Sequence, residues 1–132
     1  MVPESSGRGG EEHRRSVRLQ TRLTTVFKNL TTGRVQRALT RDVSGHGAAL
    51  ITDELLEIGT PLEVAIRLPD RPTPLAFLAE VVRSTFQLDA QEGKVGKPKV
   101  EASIRFVSID PKDRAAILQY ARLNALPPSG PG

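Results

Sequence analysis

The chain of 132 residues has no cysteine and no tryptophan, one tyrosine, one methionine and two histidines. Without cysteine there are no disulfides and no thiolate metal sites, and a reducing compartment suits the chain. A cytoplasmic location is the expectation. The two histidines, His13 and His46, do not stand at metal-ligand spacing. Ser44 and His46 lie two apart at a strand end, where a nucleophile–base pair would lack its third, orienting group. The glycine-rich stretches lack the G-K-[ST] of a phosphate-binding loop. The chain therefore does not read as an enzyme. Aromatics make up 4% of it, too few for stacking platforms, so no DNA or RNA partner is expected although the net charge of +4 favours anionic ligands. No run approaches the roughly 18 apolar residues of a membrane span. The opening MVPESSGRGGEEHRRS holds no apolar core of a signal peptide, and no membrane insertion is expected.

What the chain does hold is one domain with polar ends. Residues 1–13 are rich in Gly, Ser and Glu without apolar periodicity and read as a disordered lead, with His13 solvated. Residues 14–123 read as the folded unit, and residues 124–132 as a disordered Pro/Gly tail. The length suffices for a modest core.

Inside the unit the pattern is one of short strands. The first runs over about Leu19–Lys28, with Leu19, Leu23 and Phe27 on one face. Asn29-Leu30-Thr31-Thr32-Gly33 signals a turn, and a second strand over about Arg34–Asp42 places Val35 and Leu39 inward, giving an antiparallel hairpin. A third strand is the apolar run Ala48–Thr52. A fourth alternates with period two through Leu62, Val64, Ile66 and Leu68. Pro69–Pro74 must turn. A fifth strand over Leu75–Thr85 has ambiguous faces, since Leu78 and Val82 oppose Leu75, Phe77, Ala79 and Val81. Gln87–Pro98 is a polar loop, and a sixth strand, Lys99–Val107, puts Val100, Ala102, Ile104 and Phe106 on one side. Asp110 is a helix cap followed by Pro111 and Asp113, which predicts a helix to about Leu123. Its apolar stripe is Ile117, Leu118 and Ala121, with Tyr120 at the edge. The expectation is an all-β fold: a closed or nearly closed sheet of six strands, with the terminal helix plugging one end.

Two polar stretches interrupt this scaffold. The first is the cationic cluster Arg14-Arg15-Ser16-Val17-Arg18; the second is Asp42-Val43-Ser44-Gly45-His46-Gly47. Asp42 offers a pair of acceptor oxygens, with Ser44 on the same side of an extended strand. Gly45 and Gly47 remove side chains where a flat ligand or a second backbone comes close. The N1–H and N2–H₂ edge of guanine suits such a carboxylate, and arginine forks suit phosphate or the O6/N7 edge. Taken alone, D-x-S-G is also an ordinary β-turn composition, and R-x-x-x-R an ordinary solvated cluster.

Together, in this order and separation, Arg14-x-x-x-Arg18 and Asp42-x-Ser44-x-x-Gly47 resemble the paired motifs of the PilZ domain family, and the strand pattern follows that family over roughly residues 14–123. The resemblance implies a small six-stranded antiparallel β-barrel with a C-terminal helix. It implies binding of cyclic di-GMP by Arg14, Arg18, Asp42, Ser44 and Gly47, with Arg15 assisting, and no other cofactor. It also implies a segment Arg14–Arg18 that folds over the ligand and repositions an effector protein, in control of motility, pili, biofilm or secretion. A ligand-independent docking module of the same family is the alternative; the intact motifs argue against it. His46, before Gly47, stands where many members have a small residue.

Overall fold

The computed structural model describes residues 17–87 and 99–125, Gln87 by its backbone alone. Residues 1–16, with His13, Arg14 and Arg15, residues 88–98 of the expected polar loop, and residues 126–132 lie outside the described residues; Gln87, expected in that loop, ends a strand. Among the described residues seven strands and one helix follow in order: β1 (Leu19–Gln20), β2 (Thr24–Asn29), β3 (Val35–Val43), β4 (Gly47–Thr52), β5 (Pro61–Ile66), β6 (Leu75–Gln87), β7 (Lys99–Ser108) and α1 (Pro111–Asn124). Every pairing is antiparallel. The order is β1-β3-β2-β5-β6-β7-β4, and β4 returns to pair with β3. Six strands thus close on themselves, and the two-residue β1 is an addition beside β3.

The β2–β3 hairpin forms where the turn residues predict it. Asn29 Oδ1 accepts from the backbone N–H of Thr31 at 2.9 Å and of Thr32 at 3.1 Å. Gly33 takes φ of 82°, a conformation that costs residues with a Cβ. The predicted first strand, by contrast, is split: the chain leaves strand geometry at Thr21–Leu23. Thr40, fully buried on β3, bridges the break. Its hydroxyl donates to Thr21 O and accepts from Leu23 N–H at 2.8 Å.

Thr40 also explains the one strand whose faces the sequence reading inverts. Val35 and Leu39 do not point inward; they are 63% and 44% exposed, while Ala38 and Thr40 are buried. Leu39 pairs with Ile51 and Thr40 with Leu50, so β4's fully buried Leu50 fixes the inward parity. A buried threonine that satisfies its own hydroxyl outweighs the hydropathy of its neighbours. The register then shifts between Thr40 and Asp42, a β-bulge at Arg41. Past it, Asp42 pairs with Ala49 and Val43 with Ala48. A bulge adds one residue and so exchanges the two faces. Val43 therefore enters the core, and Asp42 is turned to the outside of the barrel.

The core is one cluster. Leu62, Val64 and Ile66 of β5, followed by Leu68, alternate inward as predicted, each at most 1% exposed. Phe27, Leu50, Val81, Ala102 and Ile104 join them. The ambiguity of β6 resolves into Leu75, Phe77, Ala79 and Val81 inside and Leu78 and Val82 exposed at 43% and 44%. Phe77 meets Phe106 edge to face at 4.9 Å between ring centroids. At α1, Asp110 caps by accepting from Lys112 N–H at 2.9 Å, with Pro111 in the first turn as predicted. The helix sets Ala116, Ile117 and Ala121 into the same core, packed on the β1 and β3 side of the barrel, with Leu118 and Tyr120 partly buried against it.

Phe27, 0% exposed at the centre of this interior, sets a test of the closed barrel. Phe27→Ala leaves a cavity that neighbouring strands, held by pairing on both sides, cannot fill. A loss of about 3–5 kcal/mol is expected in urea unfolding. A loss under about 1 kcal/mol would mean that this interior collapses freely.

Candidate functional site

The turn between β3 and β4 is built by its own polar atoms. Ser44 N–H donates to Gly47 O at 2.8 Å, and Ser44 Oγ accepts from His46 N–H at 3.2 Å. His46 O accepts from Phe106 N–H of β7 at 2.8 Å, and Arg114 of α1 reaches Gly45 O at 3.3 Å. Ser44 is 7% exposed, and its hydroxyl braces the turn.

The two glycines differ. A Cβ on Gly47 would stand 2.0 Å from Ile104 O and 3.0 Å from Arg105 Cα. The close approach that requires glycine here is that of the β7 backbone. A Cβ on Gly45 would meet nothing nearer than Leu118 Cδ1 at 4.0 Å, so no crowding requires a glycine there.

Asp42 faces outward but not into open solvent. Its side chain is 13% exposed, and Arg18 Nη1 donates to its Oδ1 at 2.7 Å. Arg18 itself stays 59% exposed. The short β1 explains the meeting: Gln20 pairs with Asp42 and Leu19 with Val43, which places Arg18 at the strand's start beside the acid. Two motifs 24 residues apart are thereby joined by one charge-assisted hydrogen bond. Arg14 and Arg15, expected to share the site, lie outside the described residues.

Beside this pair opens a cleft of about 540 Å³, within the ordinary range for small-molecule sites. Gly47, Ala48 and Ser103 give it a floor of small residues. Arg18, Ser44, His46, Val82 and Arg105 stand around it. Val82, Ser103 and Arg105 were not singled out from the sequence. They come from β6 and β7, far along the chain, and only register brings them across from the turn: Gly47 pairs with Arg105, and Arg83, after a register shift, with Ser103. The usable signal was the outward parity of Ser103 and Arg105 around buried Ile104. Among the described residues no three of His, Cys, Asp and Glu gather to hold a metal ion. Small floor, arginine rim and one anchored carboxylate suit a flat base bearing an anionic group.

A closed six-stranded antiparallel barrel with a cleft on its outer wall, at the turn after a bulged strand, defines a class. The PilZ domain pattern matches residues 12–123, and the chain belongs to that family. Solved structures agree in fold. MotI/DgrA of Bacillus subtilis, described as an inhibitor of motility, superposes with a TM-score of 0.64 at 23% identity, over 83% of this chain and 49% of that one. The PilZ domain of YcgR from Escherichia coli, solved with c-di-GMP, gives 0.68 at 14% identity, over 83% and 89%. The c-di-GMP complex of K. pneumonia MrkH gives 0.62 at 17% identity, over 80% and 48%. The chain thus spans about half the length of MotI/DgrA and of MrkH. No curated protein matches the sequence.

The glycine geometry yields a paired test. Gly47→Ala drives a methyl group into the β7 carbonyl and should lower stability by about 1–3 kcal/mol, the scale of core overpacking. Gly45→Ala, with open space around it, should leave the melting temperature within error of the unaltered chain. Equal melting temperatures for all three proteins would show that β4 and β7 can part at no cost.

Proposed function

We propose that this chain is a cyclic di-GMP receptor that passes occupancy of the cleft to a partner protein. One observation carries the reading: the bulge turns Asp42 outward, beside the cleft, where it is held by the second arginine of R-x-x-x-R. The family membership supports it, as does the ligand named for YcgR and MrkH.

The chemistry is an exchange of partners. In the free chain the Asp42 carboxylate accepts from Arg18. Guanine brings two adjacent donors, N1–H and N2–H₂, which replace that bond with a bidentate one. The displaced guanidinium is already 59% exposed and turns to a phosphodiester oxygen. Arg14 and Arg15 add charge from the preceding segment, which closes over the ligand. Gly47 acts at one remove, by letting the floor lie flat, and Ser44 by holding the turn's shape. The output is a change in how that segment presents itself to an effector protein. Motility control is the pathway we favour, given the description of MotI/DgrA. MrkH is also described as a transcription regulatory factor; with half of MrkH unmatched, we keep a protein partner for this chain. No catalysis enters this reading, and the chain works in the cytoplasm, where the nucleotide is available.

Calorimetric titration with cyclic di-GMP tests the reading and gives the stoichiometry. Arg18→Ala removes one charge-assisted bond, worth about 1.5–3 kcal/mol, and should weaken binding by about one to two orders of magnitude. Asp42→Ala should abolish most binding, and Asp42→Asn, which keeps one acceptor, should fall between. If both folded variants, Arg18→Ala and Asp42→Ala, titrate like the unaltered chain, the pair is a structural ion pair and the site lies elsewhere.

A further inference from the structure

We propose that Arg105 is a further ligand-binding residue of the cleft, held in reserve by Glu80, and that its target is a phosphodiester group of the ligand. The inference rests on the cyclic di-GMP reading and extends it to the opposite wall.

Arg105 is placed by the feature that makes Gly47 necessary. Its Cα lies where the Gly47 Cβ would be crowded. With no side chain opposite, the arginine rises directly beside the floor of the cleft it lines. Its guanidinium is bound in a particular way. Nε donates to Glu80 Oε1 at 2.8 Å, and Nη2 stands 2.6 Å from the same oxygen as an ion pair. A guanidinium carries five N–H donors. Its Nε–H is committed to Glu80, which among the described residues is the only partner of the side chain, and the Nη1 donors are available. The side chain is 57% exposed, and Glu80 is 33% exposed. Such an exposed pair is worth under about 1 kcal/mol in water, so an incoming dianion competes with it easily.

The spacing fits one nucleotide. Asp42 and Arg105 are separated by the width of β4 and a step along β7. Strand spacing and rise put their Cα atoms roughly 12 Å apart. Both residues face outward: Arg105 lines the cleft directly, and Asp42 stands next to it, bonded to Arg18 of the cleft's rim. A guanine held by Asp42 at its donor edge would carry its phosphate toward β7, where Arg105 is the cation on that wall of the cleft. Glu80 also borders a separate, mostly apolar groove with Leu30, Leu78 and Val107. Arg105 lines that groove as well as the cleft, and the competing carboxylate holds its guanidinium between the two until the ligand arrives.

Titration of the full chain with cyclic di-GMP separates the possibilities. Arg105→Ala should bind about tenfold more weakly. Arg105→Lys keeps the charge without the fork and should recover only part of that loss. Glu80→Gln removes the competitor and should bind about two- to fivefold more tightly. That gain should vanish in the Glu80→Gln, Arg105→Ala double variant, because no arginine is left to release. Three results overturn the proposal: unaltered binding by Arg105→Ala, full recovery by Arg105→Lys, or a Glu80→Gln gain that persists without Arg105, which would be a field effect of the lost negative charge. In each of these cases Asp42→Ala still abolishes binding, and the receptor reading stands. If the unaltered chain takes up no cyclic di-GMP, both readings fall together.

Discussion

The bulge at Arg41 is the constraint on which the candidate site depends. Up to Thr40 the even-numbered residues of β3 face the core; beyond the bulge the odd-numbered Val43 does. Without the extra residue Asp42 would point into a barrel filled by Leu50, Phe27 and Val64, where a carboxylate is costly to bury. One inserted residue therefore keeps the core apolar and delivers the acid to the outer wall. β1 exists for the same reason. It pairs only with the last two residues of β3, those the bulge has turned, and it carries Arg18 to the acid.

Closure is the second constraint, and it is met at Gly47. β4 must pair with β3 on one side and β7 on the other, and all its residues but Ile51 are buried. The backbone contact at Gly47 draws β7 close enough to bring Ser103 and Arg105 into the cleft. This wall of the cleft is thus an outcome of barrel closure, with the turn hydrogen bonds of Ser44 and His46 fixing where β4 begins.

Much of this was legible in the chain. Strands such as Leu62–Leu68, with strict alternation, and the Asp110-Pro111 helix start announced themselves because local chemistry and the fold agree there. What was hidden depended on partners distant in sequence. Val35 and Leu39 looked like core because hydropathy cannot reveal that Thr40 satisfies its hydroxyl across the barrel wall at Leu23 and Thr21. Leu78 and Val82 confused β6 because an outward apolar residue is unremarkable on a strand that borders a groove on one side and a cleft on the other. Asp42 and Arg18 were recognisable by motif, but their direct bond was not, since it needs the register of β1 against β3. Ser103 and Arg105 required the pairing of β7 with β4, which no local pattern encodes.

The three defined letters of D-x-S-x-x-G are therefore three different kinds of information. The aspartate speaks of an ion pair beside the cleft, the serine of a turn, and the glycine of a neighbouring strand's backbone. A descendant sequence that lost the aspartate would keep every reason to retain the other two. Retention of the serine and glycine in a relative is then a record of barrel closure and carries no testimony about the messenger. A drift at the aspartate and its arginine together, with the glycine untouched, is the trace that loss of the proposed sensing would leave in an otherwise intact lineage.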